Sequence, residues 1–217
     1  MPALYKFIED VFGVGESYGH PAGWKGMIAG KLMAKQHYPE NQWTVELLQL
    51  QGNEQVLEVG FGPGIAIQAA AALLTTGKIT GVDISKAMMR EARRRNAQAV
   101  RVGRVELLPG NAYALPFADS TFDKIYSIHV IYVWWWNQPQ QVLAEVYRVL
   151  KPGGLFCVTF LSRESWPGYS AEKAASFDGP DGPSVEKLFT EAGFRTVHIN
   201  NGPVAKKFRE IAVLGIK

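Results

Sequence analysis

Three glycines alternate with other residues directly after an apolar, β-branched run at 56–59, and they are Gly60, Gly62 and Gly64. The run predicts a buried parallel strand. The glycines predict a tight turn into a helix, because glycine tolerates unusual backbone angles and lets a ligand approach closely. A dinucleotide loop would space its glycines as G-x-G-x-x-G to hold a pyrophosphate, but Ile65 stands where that third glycine would be. With no Lys or Arg nearby and with Pro63 inside the turn, the loop suits a nucleoside without phosphates and excludes a nicotinamide dehydrogenase.

A carboxylate follows about twenty residues after the glycines, at the spacing that nucleoside-binding sheets use. Asp83 stands at the end of the predicted second strand, within Gly-Val-Asp-Ile-Ser at 81–85. A carboxylate in that place accepts hydrogen bonds from both ribose hydroxyls of a nucleoside. Asp83 and the glycine turn therefore predict a nucleoside site at the carboxyl edge of a sheet.

Four blocks, at 56–64, 81–85, 110–125 and 149–155, occur in the order and spacing of the class I S-adenosylmethionine (SAM) methyltransferases. The chain resembles this family over residues 40–162, and more loosely to its C-terminus. It most resembles the small-molecule branch that includes the C-methyltransferases of ubiquinone and menaquinone biosynthesis. The resemblance implies an α/β fold, a Rossmann-like three-layer sandwich with a mostly parallel seven-stranded sheet whose last strand is antiparallel. It also implies SAM as cofactor and S-adenosylhomocysteine as product.

The resemblance assigns cofactor binding to Glu58, Gly60, Phe61, Gly62, Gly64, Asp83, Ile84, Met88, Asn111, Ala112 and His129. The glycines would bring the backbone close to the methionine and ribose portions. Glu58 would face the cationic amino end of the cofactor, since an acid inside an apolar strand is costly without a partner; alternatively it only braces the turn. Asp83 would hold the ribose, with capping of the next helix as its alternative role.

The adenine end of the site has one departure from the family pattern. Many relatives carry Asp where this chain has Asn111, and an amide oxygen still accepts a hydrogen bond from the adenine amino group, without a charge. We expect weaker discrimination rather than loss of binding. Ala112 would offer its backbone nitrogen to the ring, and Ile84 and Met88 would flank it, with core packing as the alternative for Met88.

The candidates for catalysis are His129, Tyr18 and His20. His129 follows the predicted fourth strand, and its ordinary pKa lies near working pH, so it is either a general base or a packed residue whose backbone contacts the methionine. Tyr18 and His20 either close over the sulfonium and the acceptor or form an ordinary loop. The tryptophans at 134–136 either form a wall against a planar or prenylated acceptor or pack under the next helix.

Alternating strands and helices predict a parallel sheet with helices on both faces. Strands are predicted at 55–60, 79–83, 105–109, 123–129, 154–162, 194–200 and 207–215. Helices are predicted at 64–76, 86–98, 139–150 and 184–192. The connection between the last two strands is too short for a crossover, so this pair must be antiparallel.

The chain is predicted to form one domain over residues 1–217, with two variable pieces. Residues 1–51 predict two helices separated by a break at 38–41, and these helices cover a sheet face, form a lid over the substrate pocket, or do both. Residues 163–183 form a long Gly- and Pro-rich loop on the substrate side, and loops of this length are commonly functional.

Composition narrows the class of protein further. A single cysteine in 217 residues excludes an internal disulfide and fits a reducing compartment, and no secretory signal or membrane-length apolar run is visible, so a cytoplasmic location is expected. The histidines lack metal-ligand spacing, and no metal is expected. The arginines at 90–104 form either a solvated helix face or a patch for anions.

The expected function is transfer of a methyl group from SAM to a small organic acceptor, aromatic or apolar. The alternatives are a protein or RNA methyltransferase, or a module that binds SAM without turnover. Neither a nucleic-acid partner nor a transmembrane segment is expected, and the sequence does not predict the oligomeric state.

Overall fold

The computed structural model describes residues 38–161, 179–205 and 208–217. Tyr18, His20, the first predicted N-terminal helix and most of the predicted 163–183 loop lie outside these residues. The described chain forms a seven-stranded sheet. Its strands are β1 Gln55–Val59, β2 Lys78–Asp83, β3 Val105–Pro109, β4 Phe122–Ile128, β5 Leu150–Leu161, β6 Arg195–Ala205 and β7 Phe208–Ile216.

The strand order is β3-β2-β1-β4-β5-β7-β6. The first five strands of this order pair in parallel, and β7 lies antiparallel between β5 and β6, which confirms the predicted fold. The winding reverses between β1 and β4. Open α/β sheets bind their ligands at such a reversal, outside the carboxyl ends of the strands.

The helices are α1 Tyr38–Leu47, α2 Ile65–Leu73, α3 Lys86–Arg95, α4 Ala97–Arg101, α5 Ile131–Trp134, α6 Pro139–Val149 and α7 Gly182–Glu191. They form two layers, because each sheet face has its own buried cluster. One cluster joins the strands to α1, α2 and α3, and the other joins them to α5, α6 and α7. Successive strand residues alternate between the two faces. Ile125 of β4 packs in the second cluster and Tyr126 in the first.

Several expectations about element bounds are wrong; β5, for example, begins at Leu150 instead of 154, and β6 ends at Ala205 instead of 200. The predicted break at 38–41 is the first turn of α1, where Pro39 is tolerated because an N-terminal N–H has no helical acceptor. The predicted helix 86–98 is divided at Asn96, whose backbone leaves the helical region (φ −100°, ψ 19°). The last residues of the predicted 163–183 loop, Gly182 and Pro183, already belong to α7, which Asp181 caps by accepting a hydrogen bond from the Ser184 N–H at 2.8 Å.

A row of buried side chains crosses the centre of the sheet from β1 to β7. Glu58 pairs with Tyr126, Tyr126 with Cys157, and Cys157 with Leu214. Burial raises the pKa of the Cys157 thiol to about 12, so the thiol stays neutral and is not a nucleophile. Glu58 therefore stands at one end of a buried row that continues through β4 and β5 to β7.

No helix in the described part of the chain combines the length and the apolar character that a membrane crossing requires.

Candidate active site

A cavity of about 210 Å³ opens at the carboxyl edge of β1, β2 and β4, where the winding reverses. The predicted site residues that line it are Glu58, Gly60, Phe61, Gly62, Asp83, Ile84, Met88, Asn111, Ala112 and His129. Gly64 is the predicted cofactor residue outside this lining. The lining also includes Val130, Tyr132, Val133 and Trp134 from the segment that follows β4, and Asn41 reaches the cavity from α1.

The three glycines have left-handed backbone angles for different reasons. At Gly60 (φ 76°) a Cβ would collide with Val130, so this glycine allows close packing inside the protein. At Gly64 (φ 76°) a Cβ would lie 2.8 Å from the Cβ of Ala92, so this glycine serves the contact between α2 and α3. At Gly62 (φ 50°) no atom lies within 4 Å of the Cβ position, which leaves the backbone open to a ligand.

Asp83 holds the glycine turn and the start of α3 at the same time. Its Oδ2 accepts a hydrogen bond from the Gly62 N–H at 2.8 Å, and its Oδ1 accepts one from the Ser85 N–H at 2.7 Å. The cap of α3 is Ser85, whose hydroxyl accepts from the Met88 N–H, so capping by Asp83 itself is not what the structure shows. Burial raises the pKa of the Asp83 carboxyl, although these two N–H groups oppose the rise.

Side chains near the end of α3 support the turn from behind. Arg95 donates to the Pro63 carbonyl at 3.0 Å, and Asn96 donates to the Gly64 carbonyl at 3.0 Å. Arg94 forms an ion pair with Glu91 at 2.6 Å. Arg94 and Arg95 of the arginine-rich helix α3 therefore have partners within the protein.

Glu58 is 2% exposed and accepts a hydrogen bond from the Tyr126 hydroxyl at 2.8 Å. Burial raises the pKa of the Glu58 carboxyl well above 4.5, and the nearby Asp83 charge raises it further, while the Tyr126 hydroxyl opposes the rise. A buried carboxyl with a raised pKa gains most from a cationic partner, which would stabilise the ionised form. The site therefore has a place for a positive charge beside the glycine turn.

Ile84 and Met88, the two residues predicted to flank the adenine, differ in exposure. Ile84 is 52% exposed beside the cavity, whereas Met88 is only 3% exposed, so Met88 belongs to the protein core as well as to the lining. The Asn111 side-chain oxygen accepts a hydrogen bond from the Tyr113 N–H at 3.1 Å. This bond orients the Asn111 amide at the edge of the cavity.

His129 stands directly after β4 with a left-handed backbone (φ 57°), and its N–H donates to the Thr159 carbonyl at 2.8 Å. Its Nε2 lies 3.3 Å from Oε1 of Glu210 on β7. Glu40 of α1 joins His129 and Glu210, because an imidazole nitrogen of His129 and a carboxylate oxygen of each glutamate all lie within 4.8 Å of one another. Burial alone would lower the pKa of His129, but the carboxylates of Glu210 and Glu40 outweigh it and raise the pKa.

Sequence reasoning missed Glu40, Glu210, Asn41 and Val130. Glu40 and Asn41 lie in the segment that is predicted to be a chain break, and Glu210 lies in the last strand, far from the motifs. The one available signal for Glu210 is that it stands with Arg209 at the start of a strand whose remaining residues are apolar or glycine.

The tryptophans divide their roles. Trp134 is 2% exposed and lines the cavity, and its indole nitrogen has no hydrogen-bond acceptor among the described residues. Trp135 and Trp136 pack against the core cluster around α5, α6 and α7. Core packing, one of the two alternatives, therefore holds for Trp135 and Trp136, whereas contact between Trp134 and an acceptor stays a prediction.

Comparison with known proteins agrees with this geometry. A family model described as a methyltransferase domain matches residues 57–158. The uncharacterized methyltransferase YdaC of Bacillus subtilis is 35% identical over 173 residues, which are 80% of this chain and 89% of that protein. Demethylmenaquinone methyltransferase of Listeria monocytogenes is 36% identical over 138 residues, which are 62% of this chain and 56% of that enzyme. The chain thus spans little more than half the length of the relative whose substrate is named.

A crystal structure of a SAM-dependent methyltransferase from Aquifex aeolicus superposes with a TM-score of 0.70 at 19% identity, covering 86% of this chain and 96% of that one. This likeness shows the shared fold. Fold, family match and relatives together place the chain in the class I SAM-dependent methyltransferases. SAM is therefore its methyl donor.

The described residues fit that donor. No atom lies within 4 Å of the Cβ position at Gly62, and Asp83 and Glu58 contribute carboxylates to the lining of the same cavity. The described lining contains no Lys or Arg, which agrees with a nucleoside that carries no phosphate.

Proposed function

We propose that this protein transfers the methyl group of SAM to a small acceptor that is aromatic or apolar. The observation that carries the proposal is the composition of the cavity wall beyond the cofactor motifs. Most of that wall is apolar or aromatic, with Asn41 as a polar member; the residues are Asn41, Tyr113, Ile128, Val130, Tyr132, Val133 and Trp134. Apolar walls with few polar groups favour small apolar ligands. The similarity to a demethylmenaquinone methyltransferase supports the same class of acceptor.

We propose that Asp83 binds the ribose hydroxyls, that Glu58 meets the amino end of the cofactor, and that Ile84 and Met88 flank the adenine. The Asn111 amide and the Ala112 N–H would meet the edge of the ring. Gly60, Phe61 and Gly62 would form the surface under the methionine and ribose. Gly64 would act indirectly, through the packing of α2 on α3.

The bound cofactor supplies a methyl group that its sulfonium has already activated. The protein therefore needs to align the acceptor with that group and to exclude water, and positioning alone contributes on the order of 7–11 kcal/mol to such reactions. The buried face of α5 performs both tasks, because Tyr132 and Trp134 are 3% and 2% exposed. Tyr132 is fixed by the Leu161 N–H, which donates to its hydroxyl at 2.7 Å.

SAM binding should release a proton from Glu58. The Glu58 carboxyl has a pKa raised well above 4.5, and a cationic amino group stabilises its ionised form, so the affinity for SAM falls as the pH drops through the pKa of the free protein. Calorimetric titration in buffers of different ionisation enthalpy measures the released proton directly. Glu58→Gln should abolish the release, whereas Tyr126→Phe should move the loss of affinity to higher pH. A proton count that is unchanged in Glu58→Gln would remove Glu58 from this role.

The reaction itself is tested with methyl-labelled SAM. The protein is incubated with the labelled cofactor and, in separate arms, with a lipid-soluble metabolite extract, total RNA and a protein extract, and the products are resolved by mass. We expect label in a small apolar product, and none in an Asp83→Asn control. Label in RNA or protein would replace the acceptor class, and SAM binding with no labelled product in any arm would favour a non-catalytic module.

A further inference from the structure

Three ionisable side chains from distant parts of the sequence meet around His129, which is the member of the group that lines the cavity. They are His129, Glu210 and Glu40, from the end of β4, from β7 and from α1. Glu40 and Glu210 are 4% and 1% exposed, and the His129 side chain is 10% exposed. Burying two carboxylates is costly unless positive charge accompanies them.

The geometry around Glu210 points toward His129. Glu210 pairs with Leu161 across the sheet, and neither of its carboxylate oxygens has a hydrogen-bond donor among the described residues. Its nearest described cation is the His129 imidazole, with 3.3 Å between Oε1 and Nε2. Among the described residues, the positive charge that can compensate Glu210 is therefore that of a protonated His129 imidazole.

We propose that His129, Glu210 and Glu40 form a proton-accepting centre, and that the acceptor is a molecule that must lose a proton from carbon or from a hydroxyl as it is methylated. His129, which lines the cavity, takes the proton. Glu210 and Glu40 are positioning residues that orient the imidazole and stabilise its charge. This inference rests on the proposed methyl transfer, and it narrows the acceptor class within it.

Methyl transfer and proton transfer together conserve bonds and charge. The acceptor atom bonds to the methyl carbon while the methyl–sulfur bond breaks, and the electron pair of that bond stays on sulfur. The acceptor's C–H or O–H bond breaks, its electrons stay with the acceptor, and the proton forms an N–H bond with the neutral imidazole of His129. One positive charge disappears from sulfur and one appears on the imidazolium, beside two carboxylates that favour it.

The surroundings of His129 define the direction of its titration. Among the described residues, the charged groups that face it are Glu210 of β7 and Glu40 of α1, and Tyr132 of α5 stacks on its ring with 6.4 Å between centroids. The two carboxylates raise the pKa of His129 above its usual 6.5 despite burial. Since the proton acceptor must be neutral, turnover should rise with pH through this raised pKa.

The test measures the titration of His129 by NMR in protein with labelled histidine, with the signal assigned from a His129→Asn variant. We expect a pKa above 6.5 in the natural protein and a lower one in Glu210→Gln, with no change in Glu191→Gln, an exposed carboxylate on α7 that serves as the matched control. Glu40→Gln should lower it as well, and this second variant keeps the test valid if Glu210→Gln fails to fold.

Kinetics provide the second arm. His129→Asn should lower kcat about 10²–10⁴-fold, the usual worth of a general base, with SAM affinity unchanged. In Glu210→Gln the acidic limb of the kcat–pH profile should move to lower pH, by the same amount as the pKa of His129 measured by NMR. A His129 titration that is the same in Glu210→Gln and Glu40→Gln would overturn the proposal. The proposal would also be overturned if the purified protein contained one equivalent of a divalent metal and the Glu210→Gln variant did not. The three side chains would then be ligands of that metal.

The two arms also separate this proposal from the proposed function. The NMR titration needs neither cofactor nor acceptor, so absence of methyl transfer refutes the function without altering the titration result. Turnover with an unshifted pH limb refutes the proton-accepting centre and leaves methyl transfer in place.

Discussion

Replacing Asp83 with alanine lowers the affinity for SAM by roughly 10²–10⁴-fold, because two hydrogen bonds to a charged acceptor contribute about 1.5–3 kcal/mol each. The structure adds a second cause. Asp83 also accepts the N–H groups of Gly62 and Ser85, so the alanine variant loses the group that holds the turn closed. Calorimetric titration with SAM measures the loss.

Two controls separate the causes in the Asp83 experiment. Ser85→Ala removes the cap of α3 and leaves the carboxylate, so it should cost about 1 kcal/mol of stability and little affinity. Asp119→Asn removes an exposed acid that pairs with Arg148 far from the cavity lining. Affinity in Asp83→Ala that matches these controls would take the ribose contact away from Asp83.

Gly64→Ala lowers the free energy of unfolding, whereas Gly62→Ala mainly lowers the affinity for SAM. At Gly64 the new Cβ would lie 2.8 Å from both the Ala92 Cβ and the Asn96 amide nitrogen, so overpacking and a left-handed backbone together cost about 2–5 kcal/mol of unfolding free energy. At Gly62 the backbone term of about 1–2 kcal/mol remains alone, since no atom is near.

Denaturant unfolding and SAM titration of both glycine variants check this division. We expect Gly62→Ala to lose roughly five- to 150-fold in affinity, equivalent to about 1–3 kcal/mol of crowding where the ligand would lie. If Gly62→Ala bound SAM as well as the natural protein, the open space at that glycine would not be the cofactor surface. Equal stability of the two variants would contradict the packing role of Gly64.

The central fold followed from the sequence because its signals are local. The glycine turn, the acid at the end of β2 and the alternation of apolar strands with helices each depend on neighbouring residues, and the observed bounds of β1 and β2 differ by one residue from those predicted. Helix ends were less predictable. Asn96 interrupts the 86–98 segment because its side chain donates to the carbonyl of Gly64 as well as to that of Ala92. Only the first of these bonds requires knowledge of the tertiary structure.

The residues proposed to face the acceptor could not be predicted either, because they too meet only in the tertiary structure. Glu40 and Glu210 stand 170 residues apart in the sequence and come together only because β7 inserts beside β5 and α1 packs on the sheet face that also holds Ala212 and Leu214 of β7. No local pattern marks such a pair. Gly64 holds a motif position predicted to contact the cofactor, but it lies outside the cavity lining, and a Cβ there would meet Ala92 of α3.

The row that ties Glu58 to Tyr126 and Cys157 has a consequence for how new specificities arise in this scaffold. The nucleoside half is anchored in the middle of the sheet, while Glu40 and Glu210 arrive from segments on either side of residues 57–158, the part that the family shares. On the proposed assignment, natural variation could exchange the outer segments, and with them the molecule that is modified, while the donor-binding residues between them stay the same.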